Sequence, residues 1–370
     1  MNSERRVNPE MVTLARESRG LTQPELAIKM SASQGWLSRV EAGLRGVQPD
    51  QLEKLSEVLK YPPEFFTQND TIVGLGVPSL YHRKLQSVGV KELRRIHAQI
   101  YIRSMHLKRL LKGIDIGDCR IQSLSLEDYD GPKEIAQIVR ASWNLPSGPI
   151  QNLIASIEDA HGIVVPIDFD TRKVDAVSHC APGMPALFFV NILNPADRLR
   201  FTLCHELGHA VMHQYAVDKD LIEDQADAFA AEFLMPKKEI LPQLMDLSIE
   251  KLSVLKQYWK VSMAAILVRA RDLKAITPRK YSDFWMLLGK AGYRTHEPLE
   301  IPPEYPSLQK EIIAAYIQDL GYKVSEIAKL LCLTEDDVKA IYQPELALAR
   351  HENQIAIKDV ENFLKEQRTE

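Results

Sequence analysis

Cysteine is scarce in this chain. Cys119, Cys180, Cys204 and Cys332 are spread over 370 positions, with no Cys-x-x-Cys pair. That excludes a dense disulfide framework and an all-cysteine zinc site, and it suits a reducing compartment. Long apolar runs are missing too. No stretch reaches the roughly 18 apolar residues of a membrane span. "MNSERRVNPEMVTLARESRG" lacks the apolar centre of an export signal. A cytoplasmic protein is the expectation. Neither charge is in large excess: 46 Lys and Arg oppose 50 Asp and Glu, a formal net charge of −4. A polyanion would have to be met by a local patch, not by the chain as a whole. No sequence repeat is visible. What is present is an ordinary globular composition, 45% apolar and 26% charged, long enough for two or three domains.

Residues 1–70 read as five short helices. In "TQPELA", Thr22 is placed to cap a helix and Glu25 to reach back to it, with Pro24 in the first turn. Ser33 caps the next helix, which stops before Gly43. Leu37 and Val40 face inward, opposite Leu26, Ala27 and Met30. "GVQPDQLEKLSEVLKYPPEFF" supplies the fourth helix and a short fifth. Residues 71–130 hold a Gly-rich linker, "TIVGLGVPSL", and then a basic helix. Arg83, Lys84, Lys91, Arg94, Arg95, Arg103, Lys108, Arg109 and Lys112 face only Glu92 there. A solvated face paired with acids elsewhere accounts for this bias; a nucleic-acid contact or an acidic partner's dock is the alternative.

Residues 131–275 begin with two amphipathic helices around "WNLPSGPI". Three strand-like runs follow, "GIVVPIDF", "VDAVSHC" and "PALFFVN", enough for a small mixed sheet. Two helices come next, about residues 198–214 and across "EDQADAFAAEFLMP". Residues 276–370 make a helical C-terminal region. Within it, "SEIAKLLCLTEDDVKAIY" has the spacing of two short helices and a turn, with Glu335, Asp336 and Asp337 opening the second. The fold class expected is α+β, mainly α.

The chemistry concentrates in "FTLCHELGHAVMHQ", residues 201–214. His205 and His209 stand four apart, so a helix puts both imidazoles on one face, where they can share a metal ion. Glu206 lies one step round and can take a proton from a metal-activated water. Gly208 permits close approach by another group. This is the His-Glu-x-x-His pattern, which needs a third ligand to be a catalytic centre. His213 is a poor third ligand. On a straight helix it lies about 12 Å from His205 along the axis. A polar residue at the helix end is the simpler reading. Glu223, 14 residues beyond His209 at the start of the next helix, is better placed. Asp227, four residues later, can bond the second ring nitrogen of a ligand histidine. An acidic first turn that favours the helix dipole also explains both carboxylates.

"RLRFTLCHELGHAVMH…EDQADAFAAEFLMP" resembles the ImmA/IrrE family of bacterial metallopeptidases, over roughly residues 131–240. The resemblance implies a zincin-like peptidase domain. It implies a His205, His209, Glu223 metal site holding Zn2+ (Mn2+ or another divalent ion would also suit such ligands). It makes Glu206 the catalytic base, and it implies site-specific cleavage of a repressor-type protein. Cys204 stands where the family often has a smaller residue. His179 and Tyr215 flank the helix and are candidates to polarise the scissile carbonyl. "PALFFVN" is a candidate sheet edge along which a substrate lies extended.

"LTQPELAIKMSASQGWLSRVEAG" resembles the helix-turn-helix of XRE-type regulators, over about residues 8–66. Ser31 stands where that family usually has Gly. The resemblance implies a duplex DNA operator as partner and binding as a homodimer. Gln34, Gly35, Ser38 and Arg39 would face the major groove, with Arg39 toward guanine, Gln34 toward adenine, and Gln23 toward a phosphate. Residues 1–70 hold 9 Lys and Arg against 10 Asp and Glu, so non-specific affinity should be modest. The combined expectation is a DNA-binding regulator that is also a zinc-dependent endopeptidase. A transcriptional repressor or antitoxin with a structural or sensory metal site would use the same residues.

Overall fold

Capping residues set the helix ends in the computed structural model, which describes residues 7–69, 88–213, 221–343 and 356–357. Helix α1 (Pro9–Ser18) starts from Asn8, whose side chain accepts from the Glu10 amide. In α2 (Gln23–Met30) Thr22 and Glu25 form the reciprocal box, and the helix ends at Ser31 with φ 53°. That left-handed turn strains any residue but glycine, and Ser tolerates it. Ser33 caps α3 (Gln34–Glu41). Helix α4 (Pro49–Leu59) leads to a five-residue 3-10 turn, Pro63–Thr67, in place of a full fifth helix. Then come α5 (Val90–Gly113), β1 (Ile114–Asp115), α6 (Pro132–Ser142), α7 (Leu153–Asp159), β2 (Ile163–Ile167), β3 (Ala176–His179) and β4 (Leu187–Asn191). Helices α8 (Ala196–Met212), α9 (Ile222–Leu234), α10 (Lys237–Ile240), α11 (Ile249–Trp259), α12 (Met263–Asp272) and α13 (Pro278–Lys290) follow. The described chain closes with α14 (Leu308–Gln318), α15 (Val324–Leu331), α16 (Glu335–Tyr342) and β5 (Ala356–Ile357). No described helix is long and apolar enough to cross a membrane.

The described residues divide into two compact units: residues 7–69 and 88–117 together with those from 308 onward, and residues 118–307. In the first unit α1 to α4 and the 3-10 turn enclose Met11, Val12, Leu26, Leu37, Leu55 and Phe66. Arg16 of α1 forms a buried ion pair with Glu41 of α3, 2.6 Å. Helix α5 is more than a solvated basic face. Ile96, Ile100, Ile102, His106, Leu107 and Leu110 are buried on several of its sides. Its exposed cations are Lys91, Arg94, Lys108 and Lys112. Arg109 instead donates to Leu330 O and to Gln68, and Arg103 lies over the Tyr342 ring. Arg83 and Lys84 lie outside the described residues. Helices α15 and α16 repeat the local geometry of α2 and α3: a left-handed residue, Cys332 (φ 51°), then a cap, Thr334.

In the second unit the strand order is β2-β4-β3. β2 runs parallel to β4 with Ile163 opposite Leu187, and β3 runs antiparallel with Ala176 opposite Val190. This corrects one expectation: "PALFFVN" is the central strand, and the described edges beside it are β2 and β3. An unbroken apolar run is the mark of a strand with neighbours and cover on both faces. Helix α8 packs on β3 and on α9. A Cβ at Gly208 would meet the Phe229 ring at 3.1 Å, so glycine is what lets α9 come this close. The start of α8 is anchored by buried charge. Arg200 pairs with Glu304, and Lys256 pairs with Asp197 (2.7 Å) and Glu297 (3.0 Å). Glu304 and Glu297 also accept from the first amides of α7 and α12.

Candidate metal centre and reading helix

His205 and His209 occupy successive turns of α8, with their Nε2 atoms 3.0 Å apart. Helix α9 brings Glu223 to them: Oε1 lies 3.5 Å from His209 Nε2 and Oε2 lies 3.8 Å from His205 Nε2. One ligand atom from each of the three residues falls within 4.8 Å of the others. His205 Nδ1 lies 2.7 Å from Asp227 Oδ1. A carboxylate there accepts a hydrogen bond from Nδ1–H and leaves the Nε2 lone pair to face the cluster. Two imidazole nitrogens and one carboxylate around a common point fit a divalent ion such as zinc.

Glu206 is 2% exposed and turned toward the sheet. Its Oε2 accepts from Ser178 N at 2.8 Å and from Ser178 Oγ at 2.7 Å. The edge strand therefore fixes the glutamate in place. The same contact locates His179. Side chains alternate along a strand, so His179 points to the opposite face of the sheet from Ser178. It is buried there, and burial pulls its imidazole down to about 4, which keeps it neutral. A carbonyl-polarising role at this centre does not suit that position. Tyr215 lies outside the described residues. Cys204 is wholly buried, with its Sγ 4.0 Å from Ala230 O, and burial drives its thiol pKa well up, so it acts as a small apolar filler. His213, read from sequence as a polar helix end, is 2% exposed and closes α8 against His209.

Residues 158–271 match the IrrE N-terminal-like domain, a peptidase-family domain, and residues 12–64 match a helix-turn-helix domain. The chain joins a helix-turn-helix domain to an IrrE-like peptidase domain. No curated protein matches the chain. The peptidase-family match starts later and ends later than the motifs alone suggested, taking in α11 and most of α12.

Within the helix-turn-helix domain, α3 buries Trp36, Leu37 and Val40 and exposes Gln34, Gly35, Ser38 and Arg39. Exposed and buried positions alternate as the helical repeat requires, so the four share the outward side. Gln23 is half-buried, and its Nε2 donates to Glu41 Oε2 at 2.8 Å. Glu41 thus ties the start of α2 and the last turn of α1 to the end of α3. Sequence reasoning missed Ser178 and Gln225 in the peptidase domain. A serine in a strand carries no signal of its own. Gln225 sits between Glu223 and Asp227, and that neighbourhood was the one available hint.

Proposed function

We propose that this protein is a cytoplasmic DNA-binding regulator with metal-dependent endopeptidase activity, cutting a repressor-type protein at a specific site. The convergence of His205 Nε2, His209 Nε2 and the Glu223 carboxylate carries the reading, with Glu206 next to His205 along α8. His205, His209 and Glu223 would hold the ion, zinc first and manganese as a second occupant. When bound, the ion acts as a Lewis acid that brings a water pKa toward about 7. Glu206 takes the proton of the attacking water and passes it to the leaving amine, held for this by Ser178. The edge strand β3 is in contact with α8, and apart from the Ser178 amide, which Glu206 holds, its outer backbone suits an extended peptide. Asp227 keeps His205 in the ligand tautomer.

In this reading residues 1–70 bind duplex DNA as a homodimer and residues 131–275 cut. Arg39 and Gln34 reach base edges, Gly35 and Ser38 allow close approach, and Gln23 meets a phosphate. The test compares new protein N-termini in cells carrying wild-type protein or Glu206→Gln. The expected result is a cleaved transcription factor with wild type alone, while the variant keeps its metal content and melting temperature. Equal cleavage by both proteins would sink the role of Glu206.

A further inference from the structure

We infer that His213 is the positioning residue for His209, acting with Gln225 to fix which ring nitrogen of His209 carries the proton. This rests on the metal centre proposed above. A neutral imidazole has one N–H and one lone pair, and only the lone pair can bind a metal. The Nε2 of His209 faces His205 and Glu223. Its Nδ1 must therefore hold the proton and needs an acceptor. His209 is 3% exposed, so that acceptor has to come from the protein.

The atom in place is His213 Nδ1, 2.8 Å away. Such a contact is a hydrogen bond only if one of the two nitrogens is protonated. The other nitrogen of His213, Nε2, lies 2.9 Å from Gln225 Oε1. An amide oxygen only accepts, so His213 Nε2 carries a proton, and the neutral ring offers its Nδ1 lone pair. The donors then run one way: His209 Nδ1–H to His213 Nδ1, and His213 Nε2–H to Gln225 Oε1. The chain leaves His209 Nε2 as a lone pair aimed at the cluster.

The arrangement also answers why a third histidine at this spacing is not a ligand. Both His213 nitrogens are engaged, and its Nδ1 meets the His209 ring nitrogen other than the one that faces the cluster. For His205 the same task falls to Asp227. One ligand is thus oriented by a charged acceptor and the other by a neutral ring, so the centre gains one second negative charge rather than two. Removing an outer partner of a ligand histidine usually weakens metal binding about 10–100-fold.

The test uses full-length protein, Zn2+ titrations against a chromogenic chelator, and the absorption spectrum of the Co2+-loaded protein. His213→Phe keeps the ring volume and removes the acceptor. We expect its Zn2+ affinity to fall about 10–100-fold, with a wild-type Co2+ band pattern at saturation, because the donor set is unchanged. His213→Gln, whose amide oxygen can accept from His209, should recover part of the loss. Wild-type Zn2+ affinity in His213→Phe overturns the inference, and so does a changed Co2+ spectrum at saturation, which would make His213 a ligand. Gln225→Leu is the second variant should His213→Phe not fold: weaker Zn2+ binding supports the chain, and unchanged binding overturns it. Wild-type protein that takes up no Zn2+ fails the metal-centre reading itself, a distinct outcome.

Discussion

In α3 the residues assigned to DNA point outward, while Trp36, Leu37 and Val40 hold the helix from behind. In α8 the division disappears. Glu206 and His209 are themselves buried, and each is held by a partner from another place: Ser178 on β3 and His213 at the helix end, as Asp227 on α9 holds half-buried His205. A reading face can be altered without disturbing its support. A buried centre cannot, because its functional groups are part of the packing and each needs its hydrogen bonds. Function and stability should therefore separate in one helix and move together in the other.

Gly208→Val attacks α8 where the contrast is sharpest. Its Cβ would crowd Phe229, already 3.1 Å away, and force α9 outward. Overpacking of this kind costs about 1–3 kcal/mol. Glu223 rides on α9, so Zn2+ affinity should fall with stability when denaturation and metal titration are run on the same samples. A stable variant with wild-type affinity would break the comparison. Arg39→Ala should do the reverse. A lost bidentate base contact weakens binding to preferred DNA about tenfold or more, while stability stays within about 0.5 kcal/mol. Mobility shifts on DNA selected from a random pool, with a parallel denaturation curve, check both halves. The smallest effect concerns Glu25, which Lys91 and then Thr22 hold down to about 2 from 4.5. A depressed carboxylate stabilises the fold above its ordinary pKa and loses that contribution as pH falls through the folded value. Between pH 4.5 and about 2, wild type should lose stability more steeply than Glu25→Gln. Both side chains are exposed, so the difference should be small and shrink further with added salt. Parallel acid-unfolding curves would refute the pairing.

Local signals made much of this legible. Thr22, Glu25 and Ser33 mark helix starts because capping is a contact over three residues, and sequence shows it directly. The spacing of His205, Glu206 and His209 places them on α8 for the same reason. Contacts between distant segments left no such trace. The edge position of β3 depends on which strand both others chose to pair with. The burial of α5 depends on α15 and α16, whose sequence lies more than 200 residues on, as in the His106–Tyr342 hydrogen bond of 3.0 Å. His213 stands at the helix end and outside the ligand group, as its spacing indicated; its burial and its partner Gln225 on α9 left no local trace.

That discontinuous first unit has a bearing on how the protein is made. His106 and Tyr342 are separated by 236 positions in the chain. Everything in residues 118–307 leaves the ribosome in between. At about 5–20 residues per second, that interval lasts on the order of ten seconds or more. The peptidase-family domain therefore has all its parts while α5 still lacks α14 to α16. Synthesis itself imposes an order: residues 118–307 are complete before α14 to α16 can close the first unit.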